Sequence, residues 1–175
     1  MKSTPSYTRL AKGLHWLMAI MIPGMLALGL YMHELPFSPE KLQLYSWHKW
    51  TGVTIFMLVW VRLAWRIAHP PPPLPSSMSV RMRLAAQSSH AVLYVLMMVI
   101  PISGWLMSSA LGVSTVWFGI LPLPDLLSRD RELADLLRLV HQGLNILLML
   151  ILTGHVGATL WHQLVLKDNI LRRMR

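Results

Sequence analysis

The sequence contains no cysteine among its 175 residues. Disulfide bonds, thiolate zinc sites, cysteine-ligated iron–sulfur clusters and thioether-linked haem are therefore excluded. Charge is also scarce, because charged residues make up only 13% of the chain while hydrophobic residues make up 54%. A soluble domain usually carries about 25% charged residues. The composition therefore places the chain in a membrane.

Four apolar runs are long enough to cross a hydrocarbon core, which requires about 20 residues of helix. They cover residues 13–32, 46–67, 88–109 and 139–166. The sequence thus predicts an all-α fold, an integral membrane four-helix bundle that forms a single domain over residues 1–175. Residues 111–138 begin apolar and then carry mixed charge, so they are predicted to lie along the interface as a short amphipathic cap.

Lysine and arginine are distributed unequally between the two sides of this bundle. Four spans place both termini and the loop between spans two and three on one side, which carries 11 of the 16 basic residues. The positive-inside rule therefore predicts that both termini are cytoplasmic. The net charge of +9 is then explained by topology and by contact with anionic membrane lipid, and no nucleic acid partner is expected.

Four histidines lie near the ends of the apolar runs, where an ionisable side chain is costly unless it has a function. They are His15, His48, His141 and His155. The last two are fourteen residues apart, which corresponds to about 21 Å of helical rise and an angular offset of only ~40°. They therefore face the same side at opposite membrane depths. Matching depths pairs His15 with His155 at the inner level and His48 with His141 at the outer level.

The number of histidines at each membrane depth, two, indicates which kind of metal group they can bind. A zinc or copper site would require three or four ligands that converge at one depth, whereas an iron held in haem by two histidines requires only two. The four histidines are therefore predicted to be the axial ligands of two non-covalent haems. The alternative role for each of these histidines is a structural one, a hydrogen bond to a neighbouring helix.

Three other residues fit this geometry. Gly29 lies fourteen residues after His15 and Gly52 lies one turn after His48, so both could leave clearance for a porphyrin, although glycine is also common at ordinary helix contacts in membranes. Arg62 lies fourteen residues after His48 and therefore faces the inner level from the second helix. It is predicted to pair with a haem propionate, or else to extend its guanidinium to the interface.

The chain resembles the bacterial cytochrome b561 proteins, which are related to the di-haem b subunits of nickel hydrogenases and formate dehydrogenases. The resemblance rests on the order and spacing of motifs along nearly the whole chain: Leu14-His15-Trp16, WHKWTG at the start of the second helix, RLAWR followed by HPPPPLP, HAVLY at His90, the His141 and His155 pair, and KDNILRRM near the end. In the crossover, where some relatives have a lysine, this chain has Ser77 and Ser79.

The resemblance implies four helices, two haem b groups and electron exchange with ubiquinone or another membrane quinone, in the bacterial inner membrane. It assigns ligation to the same four histidines. One branch of the family is associated with oxidation of superoxide at the outer face. Outer basic residues could attract that anion, but six acidic residues offset them; the basic residues are Lys41, Lys49, Arg129, Arg131 and Arg138.

The quinone is expected beside the inner haem. His162 lies seven residues after His155, about 10 Å further along the helix and only ~20° round it. His90 opens the third span at the same level, and histidine can hydrogen-bond or transfer a proton near neutral pH. Arg81 and Arg83 precede His90 and could stabilise a negatively charged reduced quinone. His90 and His162 could instead hydrogen-bond neighbouring helices.

Three functions fit these features. The chain could carry electrons between an outer redox partner and quinone, as a monomer or a homodimer, and in that case act as a superoxide:quinone oxidoreductase. It could instead be the cytochrome b anchor subunit of a larger dehydrogenase or hydrogenase. A haem-free transporter or scaffold is the third alternative, and a reduced-minus-oxidised spectrum separates it from the others.

Overall fold

The computed structural model describes residues 6–74, 78–168 and 170–174. Residues 75–77, which include the last proline of the HPPPPLP motif and Ser77, lie outside the described residues. The four predicted spans are confirmed as helices long and apolar enough to cross a membrane. They are α1 (Arg9–Glu34), α2 (Pro39–Ala68), α3 (Val80–Ala110) and α4 (Arg131–Trp161), and α4 continues into a short π-helix (His162–Leu166) before a 3₁₀-helix (Ile170–Met174).

Each long helix extends beyond the apolar run that predicted it, because a polar residue caps its first turn. The side chains of Thr8, Ser38, Ser79 and Asp130 each accept a hydrogen bond from the backbone N–H three residues later. Such caps satisfy donors that the first turn of a helix leaves unpaired. At 26 to 31 residues, the capped helices are longer than the roughly 20 residues that a hydrocarbon core requires.

Helices α1, α2 and α3 share one apolar core. Met18, Ile55, Val59 and Met97 form its buried cluster. Within the described residues, α4 contributes no side chain to this cluster, and it packs instead along α3. The fourth helix thus packs mainly on one neighbour, and its histidine-bearing face is turned towards α1 and α2.

The first and last described segments of the chain meet the crossover between α2 and α3 at one end of the bundle. The backbone N–H of Tyr7 donates to the carbonyl of Arg173 at 3.1 Å, and the Arg173 guanidinium donates to the carbonyl of Pro73 at 2.8 Å. Trp16 Nε1 donates to the carbonyl of Met174 at 2.7 Å. We call this the terminal end. That it faces the cytoplasm stays a prediction from charge.

The opposite end, which we call the hairpin end, differs from the expected amphipathic cap. Strands β1 (Val116–Trp117) and β2 (Leu121–Pro122) pair antiparallel. Phe118 and Gly119 connect them in the left-handed region, with φ of 52° and 71°. Trp117 Nε1 donates to the carbonyl of Trp50 at 3.2 Å, which holds the hairpin against α2. Residues 123–130 connect β2 to the start of α4 at Arg131.

Candidate functional site

Two pairs of histidine rings bridge α4 and the other helices. At the terminal end, the rings of His15 on α1 and His155 on α4 have centres 6.4 Å apart and planes at 69°. At the hairpin end, the rings of His48 on α2 and His141 on α4 also have centres 6.4 Å apart, with planes at 75°. The structure therefore brings together the pairs that depth matching predicted.

The separation of the rings fits one metal ion between each pair. A histidine nitrogen binds a metal at about 2.0 to 2.1 Å and lies about 1.1 Å from the centre of its own ring, so two opposed ligands have ring centres roughly 6.3 Å apart. Rings in direct stacking contact would be closer than this. In the described part of the chain, no group of three or more His, Asp or Glu side chains is arranged to hold a metal. A metal in the described part of the chain would therefore be bound by a pair of histidines.

At the hairpin end, a serine orients one of the two rings. Ser103 Oγ donates to the carbonyl of Ile100 at 2.7 Å, so its oxygen is left to accept from Nδ1–H of His141 at 2.8 Å. A proton on Nδ1 leaves Nε2 of His141 with the free lone pair that a metal requires. Nδ1 of the facing His48 is buried and has no hydrogen-bond partner among the described residues.

Two glycines allow the backbone to approach these rings. A Cβ built on Gly29 would lie 3.5 Å from Cε1 of His48, and one built on Gly104 would lie only 3.1 Å from Cε1 of His141. The structure places Gly29 at the level that the sequence predicted. A Cβ on Gly52 would meet nothing within 4 Å, so α2 leaves open space one turn from His48.

At the terminal end, Arg62 contacts a histidine directly. Its Nη2 lies 2.9 Å from Nδ1 of His15. A guanidinium can only donate, so Nδ1 accepts and the proton of a neutral His15 sits on Nε2. Arg62 thus lies at the predicted level, and its partner in this arrangement is the candidate ligand itself.

A third histidine joins this level. The ring of His90 on α3 lies 5.3 Å from the ring of His155, edge to face. One turn along α3, the ring of Tyr94 has the guanidinium groups of Arg62 and Arg66 at 5.7 and 5.9 Å from its centre. Arg62 and Arg66 are therefore basic groups on the His90 side of the bundle, and no spacing in the sequence indicates that Arg66 belongs to the site.

The structure does not bring all of the other residues predicted to bind quinone into contact with His90. His162 is 9% exposed, and its Nδ1 lies 2.5 Å from Oδ2 of Asp168. Arg81 and Arg83 lie in the first turn of α3, more than a full turn before His90. No hydrogen bond or ion pair within the described residues joins either arginine to His90 or His162. Their predicted role stays a prediction.

Comparison with known proteins identifies the chain's relatives. The family model of prokaryotic cytochrome b561 matches residues 6–175. This chain belongs to that family. The cytochrome is 36% identical to cytochrome b561 homolog 2 of Escherichia coli strain K12 over 181 aligned residues, which cover 98% of this chain and 93% of the relative.

Two further relatives extend the comparison. The cytochrome is 31% identical to the probable superoxide oxidase CybB of Yersinia pestis, with 96% of this chain and 94% of the relative covered. It is 24% identical to cytochrome b561 homolog 1 of E. coli strain K12, with 78% of this chain and 77% of the relative covered. The cytochrome is thus a multi-pass membrane electron-transfer protein of a family that uses b-type haem.

Proposed function

We propose that this cytochrome, as one domain over residues 1–175, carries electrons across the bacterial inner membrane through two b haems. His15 and His155 would hold one haem, and His48 and His141 would hold the other. The observation that carries this proposal is the equal ring separation of 6.4 Å in two pairs. The fourteen residues between His141 and His155 span about 21 Å of a core about 30 Å thick.

A haem held at each pair would supply a one-electron carrier, and the residues around it would bind and orient it. Ser103 fixes the ring of His141 with Nε2 free. Ligation of His15 through Nε2 puts its proton on Nδ1, and this nitrogen can then no longer accept from Arg62. Arg62 would therefore need another acceptor, and a haem propionate at the same level would provide one.

Quinone exchange is proposed at the terminal end, for which the charge distribution predicts the cytoplasmic side. Reduction of a quinone to a quinol takes two electrons and two protons, so its site needs groups that bind carbonyl oxygens and move protons. His90 contacts the ring of His155, and His162 is buried against Asp168. Ubiquinone or another membrane quinone would bind beside them, with Arg81 and Arg83 near the entrance.

Superoxide is the proposed outer electron donor. The relative from Y. pestis is named a probable superoxide oxidase, which supports this assignment. Two superoxide anions would each lose one electron and become dioxygen, and one quinone would take both electrons with two protons to become a quinol. Lys41 and Lys49 at the hairpin end would attract the anion, although Lys49 Nζ also donates to the carbonyl of Val113 at 3.1 Å.

Stopped-flow mixing tests this assignment. When the quinone-loaded cytochrome is mixed with superoxide, we expect haem absorbance to report reduction and then reoxidation by quinone. Superoxide dismutase added beforehand should abolish the signal. If superoxide causes no haem reduction while a chemical reductant does, the outer donor is another molecule, and electron transfer between the haems and quinone is unaffected.

The approach of Gly104 to His141 gives a second test. We expect Gly104→Ala to weaken the hairpin-end haem, because a Cβ at 3.1 Å from Cε1 must displace the ring. Overpacking of this kind costs about 1 to 3 kcal/mol, or roughly 5- to 150-fold in haem affinity. Haem titration of the apoprotein measures the change.

Gly24→Ala is the matched control for this substitution. A Cβ on Gly24 would meet nothing within 4 Å, and the residue lies about half a turn round α1 from the direction of His15. It should bind both haems normally. Unchanged affinity in Gly104→Ala would show that α3 and α4 can separate without loss of the ligand geometry.

A further inference from the structure

The junction between α3 and α4 forms a partly open cavity of about 280 Å³ at the hairpin end. Arg129, Arg131 and Arg138 line it together with a single carboxylate, that of Asp135. Ala110, the last residue of α3, and Leu111, which follows it, complete the lining. The lining therefore has an excess of positive charge.

The local acidic groups do not neutralise this excess. Arg138 Nη1 lies 2.9 Å from Oδ1 of Asp135, so one arginine is paired. The carboxylate of Asp130 accepts from the N–H of Leu133 at 3.0 Å as the cap of α4. Among the residues that the structure describes, no carboxylate lies within ion-pairing distance of Arg129 or Arg131. Two guanidinium groups are thus available to an anion.

The cavity has a fixed framework. Ala110 is fully buried, and its carbonyl accepts from the N–H of Asp130 at 2.9 Å, which joins the end of α3 to the start of α4. The aliphatic stem of Arg129 packs on Gly112, where a Cβ would lie 3.2 Å from Cδ. Gly112 has a φ of 72°, a conformation that glycine adopts readily. Arg129 is therefore held in place before any ligand binds.

This cavity is separate from the nearby histidine pair. Arg131, Asp135 and Arg138 follow one stripe of α4 at spacings of four and three residues. His141 lies three residues further along and about 60° round the helix from Arg138, where its ring faces His48 and Ser103. Neither His48 nor His141 is among the residues that line the cavity.

The depth of the cavity indicates the ligand. Arg138 immediately precedes the uncharged run that begins at Leu139, so the arginines lie where lipid phosphates lie. Beyond them α4 exposes Leu139, Ile146 and Leu150, which are 55–66% exposed. We propose that the three arginines bind the phosphate group of an anionic phospholipid whose acyl chains lie along this face of α4.

Lipid binding to the full-length, haem-loaded protein tests the proposal. After delipidation in detergent, phosphatidylglycerol and phosphatidylcholine are titrated and counted by native mass spectrometry. We expect wild type to bind phosphatidylglycerol at least tenfold more tightly than phosphatidylcholine. The double variant Arg129→Gln with Arg131→Gln should lose this preference. Arg9→Gln with Arg172→Gln removes the same charge at exposed positions on the terminal end and should keep it.

A gain of affinity excludes misfolding as the explanation. Asp135→Asn removes the carboxylate from the cavity lining, so we expect it to bind phosphatidylglycerol severalfold more tightly than wild type. Inorganic phosphate at millimolar concentration tests whether the natural ligand is a lipid or a soluble anion. If phosphate does not displace phosphatidylglycerol, the ligand is a lipid. If phosphate displaces it, the site binds a soluble anion and the lipid proposal is wrong. Equal lipid preference in wild type and the Arg129/Arg131 double variant would overturn the site.

Discussion

His155→Ala is expected to purify with one b haem per chain in place of the two proposed for the wild-type cytochrome. The substitution removes one of the two facing rings at the terminal end, whose centres are 6.4 Å apart. His15→Ala should remove the same haem. His48→Ala and His141→Ala should instead remove the haem at the hairpin end. Pyridine haemochrome content per chain and the low-spin absorbance spectrum measure these losses.

His33→Ala is the matched control among the histidines. The His33 side chain is 61% exposed and pairs with its neighbour Glu34, so both haems should remain. Reduced-minus-oxidised spectra at graded potentials would then separate the two classes of ligand variant, because each class retains a different haem. Two low-spin haems in purified His155→Ala would show that the paired-histidine assignment is wrong.

The second large effect concerns quinone. We expect His90→Ala and His162→Ala to keep both haems and to slow haem oxidation by quinone at least tenfold, a loss of about 1.4 kcal/mol in transition-state stabilisation. His90 contacts the terminal-end pair through His155, and His162 lies one and a half to two turns further along the same helix. Rapid mixing of the reduced protein with a soluble quinone analogue measures the rate.

A variant of Asp168 provides a further test of the rate of haem oxidation by quinone. Asp168→Asn keeps the size of the side chain but changes the partner of His162 from a carboxylate to an amide, so it should slow the reaction if His162 accepts or donates a proton there. Haem content and midpoint potentials serve as controls, since a shifted potential would change the rate without any role in quinone binding. Unaltered quinone kinetics in the His90/His162 double variant, with both haems present, would move the site elsewhere.

The paired histidines could be predicted because helical geometry determines their relation within one segment. Helical periodicity alone puts His141 and His155 on one face of α4, independent of how the other helices pack. The alternating direction of the four spans then determines which histidines lie at equal depth. The observed pairs follow from these two rules. The same reasoning placed Gly29 beside the hairpin-end pair and Arg62 at the terminal-end level.

Ser103 and Gly104 could not be predicted in the same way. Their contacts with His141 depend on the register and rotation of α3 against α4, which no spacing within one helix determines. A Ser-Gly pair inside an apolar run was the available signal, because small residues mark close helix contacts in membranes. Similarly, the sequence placed Arg62 at the right depth but not on Nδ1 of His15.

The hairpin was missed for a different reason. Its strands have two residues each, too few for an alternating pattern, and it is held by indole donors to α2 rather than by its own core. The start of α4 was placed at the first uncharged residue, although Asp130 caps the helix well before that point. Hydropathy describes the bilayer crossing, whereas capping determines where the helix begins.

The packing of α4 mainly along α3 has a consequence for biogenesis. Since the faces that α4 turns towards α1 and α2 carry histidines in place of an apolar core, insertion of haem is the step that would tie the last helix to the first two. A chain made faster than haem is supplied would keep a loosely held C-terminal helix, which is a substrate for membrane quality-control proteases. The cellular amount of this cytochrome should therefore follow haem supply as well as gene expression.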